Sequence, residues 1–237
     1  MTNDRAKAKG SGGIAIKPRP LLAEAYNNRG VAKHELGDHL DAIADYDKAI
    51  ERNPQFAGAY NNRGNAKSAL EDYQGAIVDY DKAIEFNPKY AEAYNNRGSA
   101  KSALEDYQGA IADYDKAIER NPRFAAAYNN RGTVKSELGD YQGAIADYDK
   151  AIERNPRFAV AYNNRGNAKS TLEDHQGAIA DYDKAIKFNP KYAKAYKNRG
   201  IAKNALGDME GAKKDFDKAA ELDRIADATG QAPRIQM

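Results

Sequence analysis

The chain has 237 residues, of which 30% are charged and 41% hydrophobic, with a net charge of +2 and no cysteine. The absence of thiols excludes disulfides, thiolate metal centres and cysteine nucleophiles, and the balanced charge argues against a dedicated nucleic-acid binder. No apolar run approaches the roughly 20 residues of a membrane-spanning helix, and the N-terminus lacks the apolar core of a secretory signal, so a cytoplasmic protein is expected.

Residues 1–22 carry Arg5, Lys7, Lys9, Lys17 and Arg19 against Asp4, a net of +4, leaving −2 on the rest of the chain. With GSGG at Gly10–Gly13 and KPRP at Lys17–Pro20, this stretch reads as a flexible basic leader. From Ala23 a period of 34 residues takes over. The stretch AYNNRG begins at Ala25, Ala59, Ala93, Ala127 and Ala161, and AYKNRG begins at Ala195. The units are 23–56, 57–90, 91–124, 125–158, 159–192 and 193–226. A C-terminal tail, 227–237, contains Gly230 and Pro233 and is expected to fray.

Each unit divides into two helices, as the third shows. AEAYNNRGSAKSAL runs from Ala91 to Leu104, Glu105-Asp106 marks a break, and YQGAIADYDKAIER runs from Tyr107 to Arg120. Asp106 is placed to cap the second helix. Asn121-Pro122 ends it, because proline disfavours helix in the residue before it. Twelve helices and no strand are predicted. At about 100° per residue, Ala93, Tyr94, Arg97, Ala100, Lys101 and Leu104 share one face of the first helix. Glu92, Asn95, Asn96, Ser99, Ser102 and Ala103 share the other. On the second helix Tyr107, Ala110, Ile111, Tyr114, Ala117 and Ile118 form an apolar arc flanked by Asp113 and Asp115.

Tyr94, Gly98, Ala110, Tyr114, Ala117 and Pro122, with their equivalents in the other units, carry a specific pattern. In spacing and residue type the chain resembles the tetratricopeptide repeat family. The resemblance implies an all-α fold: an α-solenoid, a right-handed superhelix of six antiparallel helix-pair repeats. It also implies a concave groove, lined by the first helices, that binds peptides or partner helices.

The chain departs from that family where a leucine and an aromatic become Arg and Lys, at the seventh and eleventh residues of the unit. Arg29, Arg63, Arg97, Arg131, Arg165 and Arg199 then fall in the helix–helix seam. A buried guanidinium without a partner costs several kcal/mol, so a partner must recur as often. Asp45, Asp79, Asp113, Asp147, Asp181 and Asp215 do so, as do Asp47, Asp81, Asp115, Asp149, Asp183 and Asp217. The first set is expected to pair with the arginines within each repeat, as in Arg97–Asp113. The alternative is that the arginines line a groove and read acidic groups. The lysines are expected to lay their stems on the seam with their amines in water.

The groove face holds a row of amides: Asn27, Asn61, Asn95, Asn129 and Asn163, beside Asn28, Asn62, Asn96, Asn130, Asn164 and Asn198. An amide donates and accepts, so such a row could bond an extended peptide backbone; the alternatives are a solvated face and a purely structural row. Glu24 and Glu35 lie near the start of the array, whereas Lys187, Lys191, Lys194 and Lys197 cluster near its end. An acidic partner segment over repeats five and six is therefore expected. The carboxylate clamp of chaperone-binding family members is incomplete, since no unit has Arg at its sixth residue. Lys213, Ala220 and Arg224 replace Ile, Ile and Pro of the other units and read as a C-terminal cap. At the other end only Leu21 and Leu22 are available to fold back over repeat one.

HELGDH at His34–His39 places two histidines at i, i+5, not the i, i+4 of a zinc protease helix. No phosphate loop or nucleophile–histidine arrangement occurs. Neither catalysis, a metal nor a cofactor is expected. The expected function is a non-catalytic protein–protein interaction scaffold or assembly adaptor. The alternative is a self-associating structural repeat protein, a homo-oligomer, because near-identical repeats expose near-identical surfaces.

Overall fold

A computed structural model describes residues 20–228. The basic leader up to residue 19, and the tail from residue 229, lie outside the described residues. Twelve helices follow one another: α1 (Pro20–Glu35), α2 (His39–Arg52), α3 (Ala57–Ala69), α4 (Tyr73–Phe86), α5 (Ala91–Ala103), α6 (Tyr107–Arg120), α7 (Ala125–Glu137), α8 (Tyr141–Arg154), α9 (Ala159–Thr171), α10 (His175–Phe188), α11 (Ala193–Ala205) and α12 (Met209–Ala228). No strand occurs among the described residues.

The turn inside each repeat is set by its chemistry. Asp106 caps α6, its carboxylate accepting from the backbone N–H of Gly109 at 3.0 Å, and the same bond recurs in four other repeats. The residue before the cap adopts a left-handed backbone. It is glycine in three repeats (Gly37, Gly139, Gly207) and glutamate in three (Glu71, Glu105, Glu173, φ 61–65°). Glycine adopts that conformation freely, whereas an L side chain there pays about 1 kcal/mol. At the far end of α6 the backbone N–H of Asn121 bonds Ala117, and its side chain accepts from the N–H of Arg123. The chain thereby turns around Pro122 into the next repeat.

Helices pair within repeats, and each second helix packs on the first helix of the next repeat. Successive odd-numbered helices also touch one another, while successive even-numbered helices do not. The odd helices therefore form the inner side of a curved stack.

Small residues bring the helices close. A Cβ on Gly98 would sit 2.8 Å from the Tyr114 ring and 3.2 Å from the Ala110 carbonyl, so only glycine admits the tyrosine there. The ring then reaches across the joint. Ala110 and Tyr114 pack with Val134 of the next repeat, and the same trio of positions recurs at the other joints. The core is thus a row of small clusters, one per joint, as expected of a repeat array.

The ends differ. At the last repeat Phe216 takes the tyrosine position and is 39% exposed, with no helix after α12 among the described residues to cover it. Lys213 and Ala220 face solvent, and α12 runs on to Ala228 where other second helices have stopped. At the first repeat, Leu21 and Leu22 do not fold back: they extend α1, and Leu21 is 84% exposed; Leu36 and Leu40, at the other end of the helix pair, are exposed as well.

Candidate functional site

The seam between helices holds an ionic ladder. Arg97 on α5 grips Asp113 on α6 with two bonds, Nε to Oδ2 at 2.9 Å and Nη2 to Oδ1 at 2.5 Å. Its third nitrogen, Nη1, reaches back to Asp81 of the preceding repeat at 2.6 Å. The same fork is made by Arg29–Asp45, Arg63–Asp79, Arg131–Asp147, Arg165–Asp181 and Arg199–Asp215. The backward bond recurs at Arg63–Asp47, Arg131–Asp115, Arg165–Asp149 and Arg199–Asp183. A planar guanidinium with fixed N–H directions suits this double duty; an ammonium would not. Each arginine also lies over the tyrosine three residues before it, Arg97 at 5.5 Å from the Tyr94 ring centre, a cation–π contact.

The lysines differ from expectation. Lys101 does not extend into water: its amine meets Asp113 Oδ2 at 2.8 Å, and the equivalent lysines do likewise at 2.7–3.0 Å. Each buried aspartate therefore receives two cations, because a carboxylate only 4% exposed must have its lone pairs met. The joint made by Asp47 and its equivalents also went unread in the sequence. Its signal was present as a symmetric offset: from Arg63 onward each arginine lies sixteen residues before one partner and sixteen after the other.

These contacts shift titrations. Burial works against the charge on Arg97, but the bonds to Asp113 and Asp81 outweigh it and raise the guanidinium well above its ordinary range. The bond from Arg29 holds Asp45 down at about 2, against the opposing effect of burial. At Asp215 burial pushes upward, yet Arg199 and Lys203 leave it lowered. A carboxylate lowered in the folded state contributes stability that is complete above its unfolded value, about 4, and is lost as pH falls toward the folded value. Thermal melts followed by circular dichroism should thus hold a steady midpoint above pH 5 and drop steeply between about pH 4 and 2. A flat midpoint through that window would show that the aspartates carry no such linkage.

The amide row is engaged within the array and does not stand open. Asn61, Asn95, Asn129 and Asn163 are at most 6% exposed. The oxygen of each, and of half-buried Asn27, accepts from the Nδ2 of the sixth-position asparagine of the next repeat, Asn62, Asn96, Asn130, Asn164 or Asn198, at 3.0–3.1 Å. In turn Asn27, Asn61, Asn95, Asn129 and Asn163 donate to the oxygen of the residue that follows, Asn28, Asn62, Asn96, Asn130 or Asn164. The row is a hydrogen-bonded seam joining successive inner helices, with little amide left over for a peptide.

The lysine cluster is different. At the fifth position of the last unit Lys197 replaces asparagine and is exposed, as are Lys187, Lys191 and Lys194. None of the four has a carboxylate partner among the described residues. In α4, α6 and α8 the lysine of the second helix bonds a glutamate three residues on, Lys82–Glu85, Lys116–Glu119 and Lys150–Glu153. In α10 that glutamate is itself Lys187. Lys194, Lys197 and Ile201 fall at i, i+3 and i+7, one face of α11. Ile201 lines an open hollow of about 220 Å³ with Asn167, Ser170, Thr171, Tyr182 and Asn198. The described residues contain no cluster of three or more potential metal ligands.

A search of the curated proteins returns no match. Solved structures do resemble the chain. MamA is 28% identical, with 70% of this chain and 96% of that one covered and a TM-score of 0.61. YrrB, described as a TPR protein with an unusual peptide-binding site, is 26% identical over 75% of this chain and 91% of its own, TM-score 0.58. A tetratricopeptide repeat protein from Parabacteroides merdae is 25% identical over 86% and 80%, TM-score 0.68. The tetratricopeptide repeat model matches residues 23–56, 91–124, 125–158 and 159–192, and related repeat models match 45–78, 64–104 and 193–225. With paired helices, a glycine under each joint tyrosine and these matches along the array, the chain belongs to the tetratricopeptide repeat family.

Proposed function

We propose that the array is a non-catalytic scaffold that holds an acidic segment of a partner protein along the inner face of repeats five and six. The observation that carries this reading is exposed Lys194 and Lys197, without carboxylate partners and on the same face of α11 as Ile201 of the polar hollow, with exposed Lys187 and Lys191 preceding them in the chain. The amines attract a carboxylate-bearing chain and set its on-rate. The hollow offers hydroxyl and amide groups to orient it, with Ile201 for an apolar side chain. The description of YrrB as having a peptide-binding site supports the choice of a peptide ligand.

Fluorescence anisotropy with a labelled peptide rich in Asp and Glu tests it, with a Lys-rich peptide as control. The acidic peptide should bind, more weakly as salt rises. Lys194→Glu with Lys197→Glu should lower its affinity about tenfold and flatten the salt dependence. Unchanged affinity and salt slope would reject the site.

A second reading is self-association, favoured by the open ends of the ladder. Among the described residues Arg29 meets no carboxylate but its own Asp45 and is 55% exposed, and exposed Asp217 at the other end meets no arginine. Lys197 weakens this reading, because it removes the amide acceptor that a following repeat would need. Sedimentation of the free chain over a range of concentrations separates the two, and a constant monomer removes the second.

A further inference from the structure

Repeat one departs from the others at two positions that face each other. The twelfth residue of the unit is Ser68, Ser102, Ser136 and Ser170 in repeats two to five and Asn204 in the sixth; the seventeenth is Tyr73, Tyr107, Tyr141, His175 and Met209. Repeat one has His34 and His39. Across the turn from α1 to α2 their Nδ1 atoms lie 3.0 Å apart, with ring centres 4.7 Å apart and planes inclined by 52°. In repeat five, where one of the two is histidine, Ser170 Oγ stands 3.4 Å from His175 Nδ1. The backbone of the repeat thus brings these positions together whatever their side chains. Two imidazoles meet because of two residue choices made in a single repeat.

Two ring nitrogens directed at one another can be joined in two ways: by a shared proton or by a shared ion. Bonded to one divalent metal at about 2.0–2.1 Å, they would stand about 2.9 Å apart at a right angle and about 3.4 Å apart at the tetrahedral angle. The observed 3.0 Å lies between these. Both rings are half-buried, His34 in the last turn of α1 and His39 at the first residue of α2, and the turn between the helices is open to solvent. That turn is acidic, with exposed Glu35, Asp38 and Asp41 flanking the rings in the chain. Imidazole is a ligand for the copper, nickel and zinc group in preference to calcium or magnesium.

We propose that His34 and His39 form a two-imidazole site for a divalent transition-metal ion of that group, with water in the remaining positions. Such an ion would link α1 to α2, the first helix pair among the described residues. The site is separate from the lysine cluster and stands or falls independently of it.

The test uses the full, untagged chain and nickel chloride as the probe, in a buffer without metal ligands. Calorimetry should show one ion per chain. His34→Ser and His39→Tyr should each weaken binding about tenfold or more. These are residues that repeat three carries at the same places, so circular dichroism should show the fold kept. His175→Tyr should leave binding unchanged. An independent readout needs no variant. The chain has three histidines, so nickel should broaden two of three imidazole proton resonances and spare the third. No stoichiometric uptake, uptake indifferent to both substitutions, or broadening that includes all three rings equally would overturn the proposal and leave the pair sharing a proton.

Discussion

Replacing Asp113 with alanine should destabilise the array by about 3–5 kcal/mol, with the loss centred on repeats three and four. The aspartate is 3% exposed and takes bonds from Arg97 twice and Lys101 once. Without it, two cations face each other in the seam and Arg97 keeps only Asp81. Desolvation makes that state far worse than a seam with no charges at all. Arg97→Met combined with Asp113→Leu should therefore recover most of the loss, as Lys101 can swing its amine outward. Asp115→Ala is the contrast: that carboxylate is 54% exposed although its bond to Arg131 is just as short, and its removal should cost under about 1 kcal/mol. Denaturant unfolding fitted to a nearest-neighbour repeat scheme measures all of these. Coupling between Arg97 and Asp113 of only a few tenths of a kcal/mol in the double-mutant cycle would show that the ladder carries no energy.

Tyr114→Ala should cost about 3–5 kcal/mol by a different mechanism. The ring is 2% exposed, rests over Gly98 within its own repeat and packs on Val134 of the next. Burial pushes its phenol up to about 12, against the lowering from the Ser99 hydrogen bond, so it remains a neutral packing group at any working pH. Truncation opens a cavity that touches two repeats at once. It should lower the cohesion of the joint more than the stability of either helix pair, and split a single unfolding transition into two. Hydrogen exchange would show α5, α6 and α7 losing protection first. Phe216→Ala, at the 39% exposed end position, should cost clearly less. Equal effects at the two sites would contradict a core built from joints.

These two residues also mark how far the sequence could be read. Tyr114, Gly98 and Pro122 at a 34-residue spacing were enough to place the helices, because each acts locally: a ring, the gap beneath it and a stop. Arg97 with Asp113 was legible because both lie within one helix pair, where a wheel shows which faces meet. Asp81 and Asn95 were not legible as joints. Their partners sit in a neighbouring repeat, and periodicity alone does not say which face of one unit meets which face of the next. Asn95 looked like a groove residue because it is polar on the outward side of its own hairpin. Stacking of α7 beside α5 buries it and takes up its oxygen. Lys194 and Lys197 could be singled out because they break a pattern held by the other units. The meeting of His34 and His39 needed coordinates, since five residues across a turn fix no distance.

The backward reach of the arginines from Arg63 onward has a further consequence. Every internal boundary is made from the same bonds in the same order, so a cut between any two of the central units leaves ends that match any other such cut. Whole units could be lost or gained there and the new boundary would close as the old one did. The number of units is then free to change without redesign of any contact, and reach along a partner becomes a matter of copy number.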